Sequence, residues 1–192
     1  RAVKRVHVAA AVIRDGSGKI LIARRADTQH QGGLWEFPGG KVEADESVET
    51  ALARELKEEL GIVVSAARPM IKVRHDYPDK QVLLDVWEVS AFSGEPHGAE
   101  GQPLAWVSVR DLSGYEFPAA NQPIVAAARL SSQYLITPED LETPALLRGI
   151  QKAIAGGIRL IQLRAPNGYD PQYRDLAVDA VGLCAGKAQL MI

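Results

Sequence analysis

Between Gly39 and Ile62 the chain reads GGKVEADESVETALARELKEELGI, and this stretch constrains the fold more than any other. At roughly 100° per residue, Val48, Ala51, Leu52, Leu56 and Leu60 fall on one arc of a helix running from about Glu46 to Leu60. Such a stripe must be buried against an apolar partner. Gly61 ends the helix, as glycine in that position commonly does. Yet Glu55 and Glu59 lie inside the apolar arc, with Glu58 at its edge, while Thr50, Arg54 and Lys57 point toward water. Like charges one turn apart repel, partial burial raises their cost, and the C-terminal half of a helix is the negative end of its dipole. A divalent cation would remove the conflict, because Mg2+ takes carboxylate oxygens and shares its shell with substrate phosphates. The competing reading is a solvated acidic face with ordinary ion pairs, such as Arg54 with Glu58.

The flanking sequence supplies a sheet for the stripe. Residues 6–14 and 20–25 read as strands around a glycine-bearing turn at 15–19, followed by a loop, QGGLWEFPGGK. Apolar stretches 70–75 and 81–92 flank the turn YPDK and read as a hairpin; 104–109 is a further strand, and NQPIVAAARL a closing helix with Asn121 near its start. Near Tyr134 the pattern changes to strand, helix, strand, helix, strand without hairpin signals, the alternation of a parallel sheet. Three strands cannot close a barrel, so this part reads as cut off.

Composition narrows the function classes. The net charge of −2 supplies no basic field for a nucleic acid polymer or an anionic membrane. The start RAVKRVHVAAAVI has a basic head and an apolar run, as a signal peptide does, but the run is short, contains His7 and passes into the turn RDGSGK. Arg1 in place of an initiator Met reads as trimming. No stretch reaches the roughly 18 apolar residues of a membrane span. The single cysteine, Cys184, excludes an internal disulfide and fits a cytoplasmic location; it reads as core filler. His7, His75 and His97 lack partners at zinc-site spacing.

The acidic helix resembles the Nudix box. Gly40, five residues, Glu46, seven residues, Arg54-Glu55-Leu56, one residue, Glu58-Glu59, one residue, Gly61-Ile62 matches that motif at every fixed position. The resemblance implies a Nudix α/β/α sandwich with a mixed sheet and hydrolysis of a nucleoside diphosphate linked to another group. It implies Glu58 and Glu59 as metal ligands, with Glu55 sharing that shell or acting as general base. The Gly40 carbonyl would be a further ligand, and Arg54 and Glu46 would brace loop and helix. The implied cofactor is Mg2+, with Mn2+ as a substitute.

Outside the box, LWEFPGGK, GEPHGAEGQPLAWVSV and FPAANQPI resemble the MutT branch over roughly residues 3–130. That resemblance implies a nucleoside triphosphate substrate such as 8-oxo-dGTP, cleaved to monophosphate and pyrophosphate by attack at the β-phosphorus. Asn121 matches the asparagine that reads the oxidised base; on residue type alone it reads sooner as a helix cap. Arg25 matches a substrate-contacting arginine, and Arg24 and Arg25 point to opposite strand faces. Glu36 and Phe37 would line the pocket, although Phe37 alone reads as core. Glu100 matches a loop carboxylate near the metals. His30 would meet phosphate or solvent, and Lys80 is a hairpin residue or a base-side contact.

From Tyr134 onward, YLITPE, AIAGGIRLIQLR and LCAGKAQLMI resemble the opening of thiamin phosphate synthase, a TIM-barrel enzyme. Gln162 and Arg164 would bind its pyrimidine diphosphate, but Pro166 stands where the family has a lysine. The expected organisation is therefore a Nudix hydrolase domain over residues 1–131 and an incomplete TIM-barrel-like βα segment over 132–192, open to self-association. The expected function is Mg2+-dependent hydrolysis of oxidised nucleoside triphosphates in nucleotide-pool sanitation. The rivals are a Nudix hydrolase of thiamin-precursor pyrophosphates and a ligand-sensing module without turnover.

Overall fold

The segment KRVHVAAAVIR forms β1 (Lys4–Arg14), and the first part of the molecule is organised on it. The computed structural model describes residues 4–28, 31–164 and 171–192. The chain divides into two compact units, Arg1–Arg129 and Leu130–Ile192. Along one edge β1 pairs in parallel with β6 (Lys80–Ser93). Its other edge is shared by two antiparallel partners: β4 (Gly39–Lys41) lies opposite Val8–Ala10, and β2 (Ile20–Arg24) opposite Ile13 and Arg14. β2 in turn carries β3 (Trp35–Glu36) and β7 (Leu104–Val107), and β5 (Val63–Asp76) closes the far edge antiparallel to β6. The sheet is mixed, with order β3-β2-β1-β6-β5 and with β4 and β7 off that path.

Alternation along β1 splits the core into two layers. Ala9, Ala11 and Ile13 join Ala51, Leu52, Leu56 and Leu60 of α1 (Val48–Leu60) on one face. Ala10 and Val12 join Ile124, Val125 and Ala128 of α2 (Gln122–Ala128) on the other. The small alanines of β1 let both helices sit close to the sheet. α1 starts at Val48, two residues after the expected Glu46, because the Ser47 side chain caps it by accepting the Thr50 N–H at 3.1 Å. It ends as expected: Gly61 adopts φ +69, a left-handed conformation that costs glycine least, and donates to the Lys57 carbonyl while Ile62 donates to Leu56. β5 begins seven residues before the apolar run that marked it. It is an edge strand with exposed alternate residues and register shifts beside Pro69, and edges tolerate such a proline.

In the second unit β8 (Tyr134–Ile136), β9 (Leu160–Gln162) and β10 (Gln189–Met191) form a parallel sheet of order β10-β9-β8. α3 (Thr143–Ala155) and α4 (Pro171–Cys184) cover one face, where Leu146, Ile150, Ile161, Ala180 and Cys184 form the core. Tyr134, Ile136 and Met191 are exposed. Gln162 accepts from the Tyr134 hydroxyl at 2.5 Å, and Arg164 pairs with Glu139 at 2.6 Å; Pro166 lies outside the described residues. No helix among the described residues is long and apolar enough to cross a membrane.

Glu88 ties β6 to its neighbours, accepting from Arg14 at 3.0 Å and from Arg68 at 2.8 Å. Burial alone would raise its carboxyl, but the two guanidinium groups outweigh that and hold it below the ordinary range. A lowered folded-state value stabilises the protein above the unfolded value, and that contribution is lost as pH falls through the folded one. Glu88→Gln is expected to cost about 1 kcal/mol at pH 7, with the gap from wild type closing in acid; urea unfolding at both pH values measures it.

Candidate active site

Arg54 organises the carboxylates of α1. Its Nε and Nη2 donate to the two carboxylate oxygens of Glu46, both at 2.9 Å, and Nη2 also donates to the Lys41 carbonyl at 3.0 Å. Nη1 donates to Glu55 at 2.8 Å and to Glu58 at 3.4 Å. The hydrogen bond to Glu46, then that to Glu55, pushes the guanidinium pKa up, and Arg54 in return lowers that of Glu46. The helical angle of Arg54 suggested water. Its long side chain instead folds back over the loop before α1 and is half-buried. Both readings of the acidic face are thus partly present: the Arg54–Glu58 pair forms, with Glu58 exposed, while Glu55 and Glu59 are partly buried.

The backbone of β4 is moulded to these glutamates. A Cβ on Gly40 would overlap the Glu55 carboxylate, and one on Gly39 would overlap the Ala9 carbonyl oxygen. Gly39 meets fixed backbone and has no room for a side chain, whereas a side chain at Gly40 would displace the Glu55 carboxylate. The Gly39 N–H donates to Glu59 at 3.3 Å. Burial pushes Glu59 up to about 7; the Gly39 bond opposes this, and the charges of Glu36, Glu55 and Glu100 add to it. Four carboxylates therefore feel one another around β4.

As these side chains stand, no three His, Cys, Asp or Glu groups among the described residues converge to hold a metal ion. The ligands expected at Gly40, Glu55, Glu58, Glu59 and Glu100 are thus not gathered on one point in this arrangement. Arg54 holds Glu55 and Glu58 to itself. The donor chemistry nonetheless fits a hard cation: Glu59 is desolvated among like charges, and hard oxygen donors are what Mg2+ takes.

Beside β4 opens a cleft of about 300 Å³ lined by Arg25, Glu36, Phe37, Gly39, Lys80 and Asn121, among others. Five residues expected to meet substrate are thus brought together; the sixth, His30, lies outside the described residues. Asn121 precedes α2 but its side chain makes no capping bond and is 9% exposed. The cap reading is overturned. Phe37 is both core and wall, stacked on Phe117 at 5.4 Å between ring centroids. Arg25 Nη1 pairs with Glu36 at 2.5 Å, and the Arg25 Nε is buried without a partner. Desolvation raises Glu36 despite that pairing. Lys80 sits 5.5 Å over the Tyr77 ring. Tyr77 and Lys41 also line the cleft and were not anticipated; the turn YPDK could have revealed Tyr77, since it pairs the residues at its two ends. A larger hollow of about 620 Å³ around His7 and Arg74 holds none of the expected site residues.

The NUDIX domain model matches residues 9–127. An 8-oxo-dGTP diphosphatase of Escherichia coli is 41% identical over 123 residues, 64% of this chain and 95% of the relative. A CTP pyrophosphohydrolase of the same organism is 40% identical over 124 residues, 65% of this chain and 91% of the relative. Among solved structures, MutT from work on Aliivibrio salmonicida and Vibrio cholerae is 45% identical with a TM-score of 0.58, covering 66% of this chain and 98% of its own.

Glu59 generates a stability prediction. Its folded-state value lies above the unfolded one, so its charged form costs stability as pH rises from about 4.5 to about 7. Without divalent cations, Glu59→Gln is expected to be more stable than wild type at pH 8, by on the order of 2 kcal/mol, and to lose that advantage at pH 4. Melting temperatures in chelator at both pH values check it.

Proposed function

Because the chain belongs to the NUDIX family and is a Nudix pyrophosphohydrolase, we propose that it hydrolyses oxidised purine nucleoside triphosphates, 8-oxo-dGTP above all, to monophosphate and pyrophosphate. Such a reaction cleanses the nucleotide pool before DNA synthesis. The observation that carries the base assignment is Asn121, whose amide lines the cleft free of any capping duty. An amide both donates and accepts, so it can read one edge of a purine. Phe37 supplies an apolar wall, and Arg25 and Lys80 supply positive charge for the nucleotide.

Glu55, Glu58, Glu59, Glu100 and the Gly40 carbonyl would hold Mg2+, with Mn2+ as a substitute. When bound, the cation offsets phosphate charge and acidifies water. Water attacks the β-phosphorus; a new P–O bond forms as the bond to the α–β bridging oxygen breaks. That oxygen stays with the monophosphate, and the water proton passes to Glu55. Arg54 and Glu46 hold Glu55 and the β4 loop in register. Gly39 lines the cleft and also touches Glu59, so the base pocket and the carboxylates meet at one strand.

The 40% identical CTP pyrophosphohydrolase motivates a second reading, a pyrimidine triphosphate in the same cleft. For the second unit, the parallel order and one-sided helices support a thiamin phosphate synthase-like βα segment, and its exposed sheet residues support self-association.

Pyrophosphate release from 8-oxo-dGTP, dGTP and CTP separates the substrate readings. The expected kcat/KM for 8-oxo-dGTP exceeds that for dGTP by about 10²-fold or more, roughly 3 kcal/mol, and Asn121→Ala reduces the ratio about tenfold. CTP as the best substrate establishes the pyrimidine reading instead. Glu55→Gln is expected to lower kcat by about 10³-fold or more while nucleotide affinity, measured by calorimetry, is kept. If Glu55→Gln retains its rate and Glu59→Gln does not, the proton goes to Glu59.

A further inference from the structure

The last carbonyls of a helix have no partner within it, and at α1 these belong to the residues that carry the chemistry. The loop after β6 supplies the missing donors. The His97 N–H donates to the Leu60 carbonyl at 3.1 Å, and the Ala99 N–H to the Glu59 carbonyl at 3.0 Å. A second donor reaches the Glu59 carbonyl from a side chain: Gln102 Nε2, at 3.0 Å. The other end of the same amide, Oε1, accepts the Glu100 N–H at 2.9 Å. One side chain thus links the main chain at Glu59 to the main chain at Glu100. Gln102 is half-buried, whereas Ala99, Glu100 and Gly101 are exposed.

We propose that Gln102 is a positioning residue for hydrolysis: its amide fastens the loop carboxylate Glu100 to the glutamate-bearing end of α1. The inference rests on the reading of Glu100 as a site carboxylate. A primary amide supplies a donor at one end and an acceptor at the other. Leucine has neither, and glutamate lacks the donor while adding a fifth negative charge beside four. The two carboxylates lie close enough that Glu100 contributes to the upward shift of Glu59. The backbone bonds from His97 and Ala99 keep the loop on the helix without Gln102, but neither fixes the residue that bears the carboxylate.

The test uses Gln102→Leu, Glu100→Gln and the double variant in the full chain, with kcat, KM, melting temperature and amide hydrogen exchange. The expected result for Gln102→Leu is a fall in kcat of about tenfold or more with KM changed less than about threefold, a melting temperature near wild type, and faster exchange at Glu100. A residue that acts through Glu100 adds nothing once Glu100 is neutralised, so the double variant should match Glu100→Gln. Rescue of kcat by Gln102→Glu, which cannot donate to Glu59, overturns the amide link. Multiplying losses in the double variant overturn the proposal, since Gln102 then acts elsewhere. So does a normal kcat in Gln102→Leu beside an impaired Glu100→Gln. If Glu100→Gln is itself fully active, the reading of Glu100 falls and the proposal falls with it, and the two failures are told apart by that variant alone.

Discussion

The guanidinium of Arg54 sits among the carboxylates of Glu46, Glu55 and Glu58 and the carbonyl of Lys41. Much of the site depends on that one fork. It locks the loop before α1 to the helix, and so holds β4 in the narrow gap between β1 and the glutamates. It balances part of a charge density that the apolar arc of α1 could not otherwise carry. Glu59, which Arg54 does not reach, is left desolvated among its neighbours and titrates near neutrality. On the proposed reading, that uncompensated charge is what a divalent cation would meet. Arg54 is itself tied bidentately to Glu46, a hold on the loop that is separate from its bonds to Glu55 and Glu58.

The sheet serves this arrangement through its divided edge. β1 gives its middle residues to β4 and its last residues to β2, so the strand that buries the two helices also seats the glycines against the carboxylates. Gly39 faces both ways, lining the cleft and donating to Glu59. On the proposed reading, a base against Asn121 and Phe37 would send its phosphates past Gly39 toward α1.

Much of this was legible in the sequence because it follows from periodicity. The burial of Leu52, Leu56 and Leu60 and the partial burial of Glu55 and Glu59 follow from the 3.6-residue repeat, and the stop at Gly61 follows from glycine's tolerance of positive φ. What periodicity does not encode is the reach of a side chain. Arg54 was placed toward water by its angle, yet it curls back over the loop. Asn121 was ambiguous because capping and ligand reading need the same amide; the structure shows only that its side chain makes no bond to α2. Gln102 gave no signal, since a loop glutamine has no repeat to break. The full length of β5 was hidden by Pro69 and its exposed alternate residues. In the second unit the strand–helix alternation was plain, but it did not encode the exposure of Tyr134, Ile136 and Met191, since parallel sheets are ordinarily covered on both faces.

The central claim is that the crowded carboxylates of α1 are a binding site for a divalent cation. Thermal unfolding in chelator and in about 10 mM Mg2+, without nucleotide, tests it most directly, because a ligand that binds the folded state alone stabilises it by mass action. The account predicts a higher melting temperature with Mg2+ for the wild type and no response when Glu55, Glu58 and Glu59 are all glutamine. Equal melting temperatures for the wild type in the two buffers, or an equal rise in the triple variant, would contradict it.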